Sequence, residues 1–246
     1  MTNQDICCLL DQKAPFSLAE EWDNVGLLIG SPDREVTRVL VTLDATPAAI
    51  EAAKSIGAEL IVTHHPVIFE PLKALDGNGI PYALAATGID VISAHTNADK
   101  AADGVNDTLA ARLELADVRV SADGFCRIGQ LREPIDADSF AKIVAATLDT
   151  AVRVNGNNTV RTIAVCGGSG GDFIAPLAGE IDAFVTGEVR HHQWLEANTL
   201  DVTVIEAGHY ATEVPIVDVL CAWLQEAFPS LAVTPHYGNA PYNTVR

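Results

Sequence analysis

The stretch "RVLVTLDATPAAIEAAKSIGAELIVTHH", Arg38 to His65, decides the fold. It opens on RVLVT and closes on ELIVT, two short β-branched runs with almost no polar interruption. Runs of that kind suit strands buried on both faces rather than strands with one wet side. Between them, Thr46 can cap a helix, Pro47 fits a first turn that needs no N–H, and Gly57 can close it in the left-handed conformation. Strand, helix and strand in this order predict parallel pairing and an α/β architecture. The stretch ends on His64 and His65, followed by Pro66. Side chains alternate faces along a strand, so the two imidazoles can share a site only where the strand stops and the backbone turns. Proline has no N–H to give to a ladder and restricts the residue before it, so it supplies that break.

Downstream the order repeats. "GIPYALAATG" (79–88) reads as a helix closed by Gly88, and "IDVISAHTN" (89–97) as a further buried strand. The stretch "TIAVCGGSGGDFIAPLAGEIDAFVTGEVRHH" (162–192) again runs strand, small-residue turn, alanine-rich helix, then a strand ending in Val-Thr. Each half goes on to a strand that ends near a histidine, "VISAHTNAD" and "VTVIEAGHYATE". An internal duplication accounts for this. General likeness among α/β units is the competing explanation. Between the halves, "SADGFCRIGQLREPID" (121–136) is rich in turn and charged residues and is the expected boundary.

With 246 residues, 48% of them hydrophobic, the chain can bury one large core or two small ones. The formal net charge is -18 and the isoelectric point about 4.5, which argues against binding nucleic acid through its phosphates. An anionic substrate would need a local metal or anion hole to offset that field. Five cysteines without CxxC spacing suggest reduced thiols and a cytoplasmic setting, with Cys7 and Cys8 as small apolar residues of a first helix. "MTNQDICCLLDQ" lacks the basic region of a secretory signal, and no run reaches the roughly 20 apolar residues that span a membrane.

Four polar clusters fall where strands are predicted to end: His64–His65; His95 with Asn97 and Asp99; Glu188 with His191–His192; and His209 with Glu213. Ligand sites of open α/β sheets form at the carboxyl ends of strands. His64, His65, Asp99, His209 and Glu213 supply three imidazoles and two carboxylates, a mixture that suits zinc, manganese or iron. Two ions about 3.5–4 Å apart use such a set better than one, because five ligands would leave a single ion no open position. Plain structural roles stand beside this one. The twin histidines could be hydrogen-bonded loop residues, Asp99 an exposed loop carboxylate, and Glu213 a first-turn acid favoured by the helix dipole. In that last reading Thr212 caps the helix running through "IVDVLCAWLQEAF", leaving His209 in a loop. "CGGSGGDF" (166–173) matches neither dinucleotide nor P-loop spacing and reads best as a tight turn. His191 and His192, about 100° apart on a helix, cannot face one ion and read as surface or interface groups.

The strings "EEWDNVGLLIG", "VTLDAT", "VTHHPVIF", "AHTNADKAADGVN", "VTGEVRHH" and "EAGHYATE" occur in this order and resemble the NGG-interacting-factor-like family, whose bacterial members carry the label GTP cyclohydrolase I type 2 homolog. The resemblance implies two intertwined, duplicated α/β repeats with mixed sheets flanked by helices, without the inserted middle domain of longer relatives. The first repeat would comprise residues 1–120 completed by 205–246, and the second residues 121–204. It also implies a homohexameric ring and a dinuclear centre of two divalent metal ions on His64, His65, Asp99, His209 and Glu213, with His95 either supporting the ligands from behind or transferring protons. The implied activity is hydrolysis of a nucleotide-type substrate. A metal-binding scaffold or trafficking protein without turnover, and a metal-dependent phosphoesterase, are the alternatives. Asp23, Asn24 and Glu188 lie in the same motifs without a role readable from sequence.

Overall fold

The computed structural model describes residues 1–242. The chain begins with helix α1 (Asn3–Lys13), whose first turn closes as a capping box. Thr2 accepts from the Asp5 N–H, and the Asp5 carboxylate accepts from the Thr2 N–H. There follow β1 (Gly26–Ile29), β2 (Arg38–Thr42), α2 (Pro47–Ile56), β3 (Leu60–Thr63), α3 (Ile80–Thr87), β4 (Asp90–Ser93) and the short α4 (Thr96–Lys100). Helix α2 forms between the punctuation marks read from sequence. The Thr46 hydroxyl accepts from the Ala49 N–H at 3.2 Å, and Gly57 takes φ 67° at the other end. Gly88 closes α3 in the same way at φ 69°.

The next segment runs α5 (Val105–Arg112), β5 (Ala116–Val120), β6 (Arg127–Asp136), α6 (Ala137–Thr147), β7 (Arg153–Val154), β8 (Thr159–Cys166), α7 (Ile174–Leu177), β9 (Ala183–Thr186), α8 (His191–Thr199), β10 (Thr203–Glu206) and α9 (His209–Glu213). Helix α10 (Ile216–Ala227) and strand β11 (Ala232–His236) then return to the first segment, where β11 pairs in parallel with β2. Two α/β units result: residues 1–104 with 216–238, and residues 105–215 with 239–242.

The first unit holds a five-stranded sheet in the order β1-β4-β3-β2-β11, parallel except for β1. Leu40, Ile61 and Val91 pack with Ala49, Ile50, Ala53 and Leu84 of α2 and α3. The alternate positions Val39, Val41, Leu60, Val62 and Ile92 are buried too, as the continuous apolar runs require. Helices α1 and α10 pack on each other, and α10 packs on β2 and β11.

The second unit holds a six-stranded sheet in the order β5-β6-β8-β9-β10-β7, in which β8, β9 and β10 are parallel. Its two faces separate by residue parity. Ile163, Val165, Ala183, Val185 and Ile205 pack with Leu109, Phe140 and Val144 of α5 and α6. Ala164, Cys166, Phe184 and Val204 pack with Ile174, Leu177 and Ala197 of α7 and α8. Among the described residues no helix is long and apolar enough to cross a membrane.

Three sequence expectations change. The division falls at Gly104/Val105 and Pro215/Ile216, so residues 105–120 and 205–215 belong to the second unit, not the first. They do so because β5 pairs with β6 and β10 with β9. The stretch 121–136 is not the boundary, since it lies within the second unit and ten of its residues form β6, the longest strand described. The register shift between Gln130 and Ile135 accommodates Pro134 where no ladder N–H is available. The expected alanine-rich helix after the glycine turn shrinks to a 3-10 turn and the four residues of α7.

Candidate metal centre

In the first unit the carboxyl ends of β3 and β4 gather histidines. His64 is wholly buried, and its Nδ1 lies 2.8 Å from the Ala94 carbonyl, which makes Nδ1 the protonated nitrogen. Its Nε2 is left to face the Asp99 carboxylate at 3.6 Å. His65 sets Nδ1 2.7 Å from Asp44, and His95 sets Nδ1 2.8 Å from Asp23. The ring centroids lie 5.0 Å apart for His64–His65, 5.2 Å for His64–His95 and 5.6 Å for His65–His95. The three rings each offer a nitrogen within 4.8 Å of the others. Each imidazole is therefore oriented from behind by a carbonyl or carboxylate, the arrangement that fixes tautomer and raises basicity in metal-binding histidines.

Helix α4 brings Asp99 to this cluster. It is five residues long, starts directly after His95 and buries Thr96, Asn97, Ala98 and Asp99. The Asn97 amide donates to the Ala14 carbonyl at 2.7 Å, which holds the turn down. Asp23 holds the other side. Its side chain is fully buried and accepts from the Thr96 N–H at 3.0 Å and from the Thr96 hydroxyl. Burial alone would raise the Asp23 pKa, but the hydrogen bonds from His95 and Thr96 outweigh it and hold it down to about 2. Asp23 is thus a fixed anion behind His95. The Asn24 amide donates to the Ile68 carbonyl at 2.6 Å, tying the motif to the loop after the twin histidines.

In the second unit the ends of β9 and β10 carry the other two nominated residues. His209 Nε2 lies 2.9 Å from Glu213, one helical turn along α9, and His209 Nδ1 lies 3.3 Å from Glu188. Glu188 in turn accepts from the Ser169 hydroxyl at 2.6 Å. Glu213 is buried against the glycine turn, where a Cβ on Gly168 would fall 2.1 Å from its Oε1. Three of the turn's N–H groups are taken by side chains of the same unit, Gly167 donating to Asn106, Gly168 to Thr212 and Gly170 to Thr186. This stretch is a connecting turn, as read. Thr212 is not the cap of α10. Its hydroxyl lies within α9 and faces the Gly208 and His209 carbonyls, so His209 starts a short helix instead of sitting in a loop.

The structure thus brings His64, His65, His95 and Asp99 together in one unit, and His209 with Glu213 in the other. Imidazole nitrogens backed by fixed acceptors, with buried carboxylates beside them, are donors suited to divalent metal ions. The first-unit cluster could hold one. His191 and His192 lie exposed on α8. Sequence reasoning missed Asp44 and left Asp23 without a role. Each is an acid beside a turn, and its partner lies 21 or 72 residues away.

A two-unit α/β protein with histidine–carboxylate clusters at the carboxyl ends of its parallel strands is the class that fold and site define. Residues 1–237 match the Duf34/NIF3 (NGG1p interacting factor 3) family, and the chain belongs to it. It is 35% identical to a Streptomyces coelicolor protein named GTP cyclohydrolase 1 type 2 homolog, over 90% of this chain and 85% of that one. It is 30% identical to a Helicobacter pylori protein named GTP cyclohydrolase 1 type 2, over 85% and 86%. A crystal structure of a Staphylococcus aureus hypothetical protein superposes with a TM-score of 0.92 at 28% identity, covering 100% of this chain and 99% of that one.

Proposed function

We propose that the protein is a dinuclear metal-dependent hydrolase of a nucleotide-type substrate, with His64, His65, Asp99, His209 and Glu213 as ligands. The observation that carries this reading is the anchoring of His64, His65 and His95, each held at Nδ1 by an oxygen of the chain. Orienting rings in this way has a clear purpose if their other nitrogens bind an ion or move a proton. The names of the relatives support a guanine nucleotide as substrate. Assembly as a homohexamer belongs to the same proposal, and light scattering of the purified protein checks it.

Bound ions would supply Lewis-acid activation of water and would stabilise developing negative charge. The chain itself orients and moves protons. His95 is the proton-transfer residue, because Asp23 holds its Nδ1–H and leaves Nε2 to accept a proton. The Asp23 carboxylate would stabilise the imidazolium so formed. At a net charge of -18 the protein repels a triphosphate at long range, so affinity must come from the centre itself.

The test is incubation of metal-loaded protein with GTP, other nucleotides and phosphodiesters, against His64→Ala. Release of formate or dihydroneopterin triphosphate from GTP, lost in the variant, is the expected result. Turnover of phosphodiesters alone would make it a phosphoesterase. Metal binding without turnover of any of these would make it a scaffold.

A further inference from the structure

Two large aromatic side chains stand in water at the edge of the histidine cluster. Trp22 is 58% exposed and Phe69 49% exposed, a poor use of apolar surface unless something covers it. Their rings meet at 5.6 Å between centroids and 44° between planes, which makes a V-shaped wall. Both rings also reach His95, at 6.3 Å from Trp22 and 6.4 Å from Phe69, with 71° and 74° between the planes. Trp22 and Phe69 are therefore neighbours of the residue assigned to proton transfer.

The backbone that carries the wall is held by hydrogen bonds. Trp22 sits in a turn closed by the Asp23 N–H donating to the Glu20 carbonyl at 2.9 Å. Both ends of that turn are pinned to Thr96, the residue after His95. The Glu20 N–H donates to the Thr96 hydroxyl at 3.0 Å, and the Thr96 N–H donates to Asp23. Phe69 follows Ile68, whose carbonyl accepts from Asn24. Two touching rings on a fixed backbone, each with two side-chain torsions, lose little conformational freedom when a flat ligand stacks on them, which is how preorganisation raises affinity.

We propose that Trp22 and Phe69 are the substrate-binding wall of this centre, taking the flat nitrogen-heterocyclic ring of a purine-type base and presenting its edge to His95. This rests on the reading of the cluster as a metal-dependent site for a nucleotide. It divides recognition in two, the ring going to the aromatic wall and the phosphates elsewhere. Base–aromatic stacking tolerates any base with a π face, so the wall selects ring against no ring, and hydrogen bonds must choose among bases.

The test uses the metal-loaded full chain with three probes, GTP, guanosine and tripolyphosphate, titrated by calorimetry and by tryptophan fluorescence. Guanosine and GTP are expected to bind the wild type and quench Trp22. Trp22→Leu is expected to weaken both by about 10-fold or more, with Phe69→Leu having a smaller effect in the same direction. Trp22→Tyr should restore most of the affinity. Tripolyphosphate binding and metal content should stay the same in all variants. Guanosine affinity indifferent to Trp22→Leu would overturn the wall, as would a wild type that binds metal but neither guanosine nor GTP. A wild type without metal that still stacks guanosine on Trp22 would keep the wall and remove the metal reading. A change of oligomeric state in Trp22→Leu, with nucleoside binding unaltered, would make the pair a contact between subunits and overturn the proposal. If Trp22→Leu lowers the melting temperature, the contrast of Trp22→Tyr with Phe69→Leu decides in its place.

Discussion

The two units solve the same backbone problem and finish it with different chemistry. Parallel strands run side by side in both, four in the first unit and three in the second, and an acid just before one strand accepts from two successive N–H groups of its neighbour. Glu59 accepts from the N–H groups of Thr37 and Arg38 at 3.1 and 2.8 Å, and Asp182 from those of Arg161 and Thr162 at 3.0 and 2.8 Å. In each, the third strand is followed by a histidine and, four residues on, a buried carboxylate: His95 with Asp99, and His209 with Glu213. The strand before it ends differently. After β3 come His64 and His65, and after β9 come Gly187 and Glu188. A Cβ on Gly187 would lie 2.5 Å from the Gly168 carbonyl and 2.8 Å from the His209 Cα. The glycine turn crowds this position in the second unit, where the first unit's chain carries an imidazole after its strand. A duplicated frame can thus keep its histidine–carboxylate turn while one copy becomes imidazole-rich and the other carboxylate-rich.

The largest expected effect separates the units by their buried charges. Arg127 in the second unit is 1% exposed and pairs with Asp107. Asp107→Ala removes that counter-charge and leaves the buried guanidinium its hydrogen bond to the Phe125 carbonyl at 3.0 Å, and should cost about 3 kcal/mol in urea unfolding. Arg34→Ala in the first unit should cost less, about 2 kcal/mol, because Asn3 still donates to Asp90 at 2.6 Å. Equal losses would break the contrast.

Gly187→Ala comes next. Two of the atoms its Cβ would meet are backbone and the third is the Thr212 hydroxyl at 2.8 Å, so destabilisation of about 1–3 kcal/mol is expected. A neutral result would show that the second unit has room for a side chain where the first has His64.

The clamps give a smaller effect, common to both units. Glu59→Gln and Asp182→Asn should each lose about 1 kcal/mol at neutral pH. Burial would raise the Glu59 pKa, but its hydrogen bonds outweigh this and hold it below the ordinary glutamate value. The wild-type advantage over Glu59→Gln is therefore present above about pH 4.5 and fades as the pH falls through the lowered folded value. An advantage unchanged down to pH 2 would contradict the assignment.

Thiol labelling gives the smallest signal and reads the units separately. Cys126 and Cys166 are buried in the second unit, while Cys8 in the first is exposed. Burial, with a charged or thiol neighbour, pushes Cys7 up to about 11 and Cys221 up to about 12, so both stay protonated and react slowly. Cys8 should label first, and Cys126 and Cys166 only as the second unit opens. Early labelling of Cys166 would show the glycine turn to be loose.

Much of this was legible in the residues. Helix α2 carries its cap, its proline and its closing glycine in plain order, and the β-branched runs can hardly be anything but buried strands. The short helix α9 was not legible. Five residues offer no periodicity to read, and the turn starts from Gly208 at φ 84°, a conformation a sequence permits without requiring. Strand β6 was misread because its second half is largely exposed and carries Pro134, so it has the composition of a linker. Of the site, the imidazoles and carboxylates could be nominated by type and by position at strand ends. The acids behind them could not, since only the fold pairs Asp23 with His95 and Asp44 with His65.

The dinuclear centre stands or falls on metal analysis of protein purified without chelator or added ions. About two divalent ions per chain are expected in the wild type, with a clear loss in His64→Ala and, separately, in Glu213→Ala. A metal-free wild type, or a Glu213→Ala variant that keeps its full complement, would contradict it.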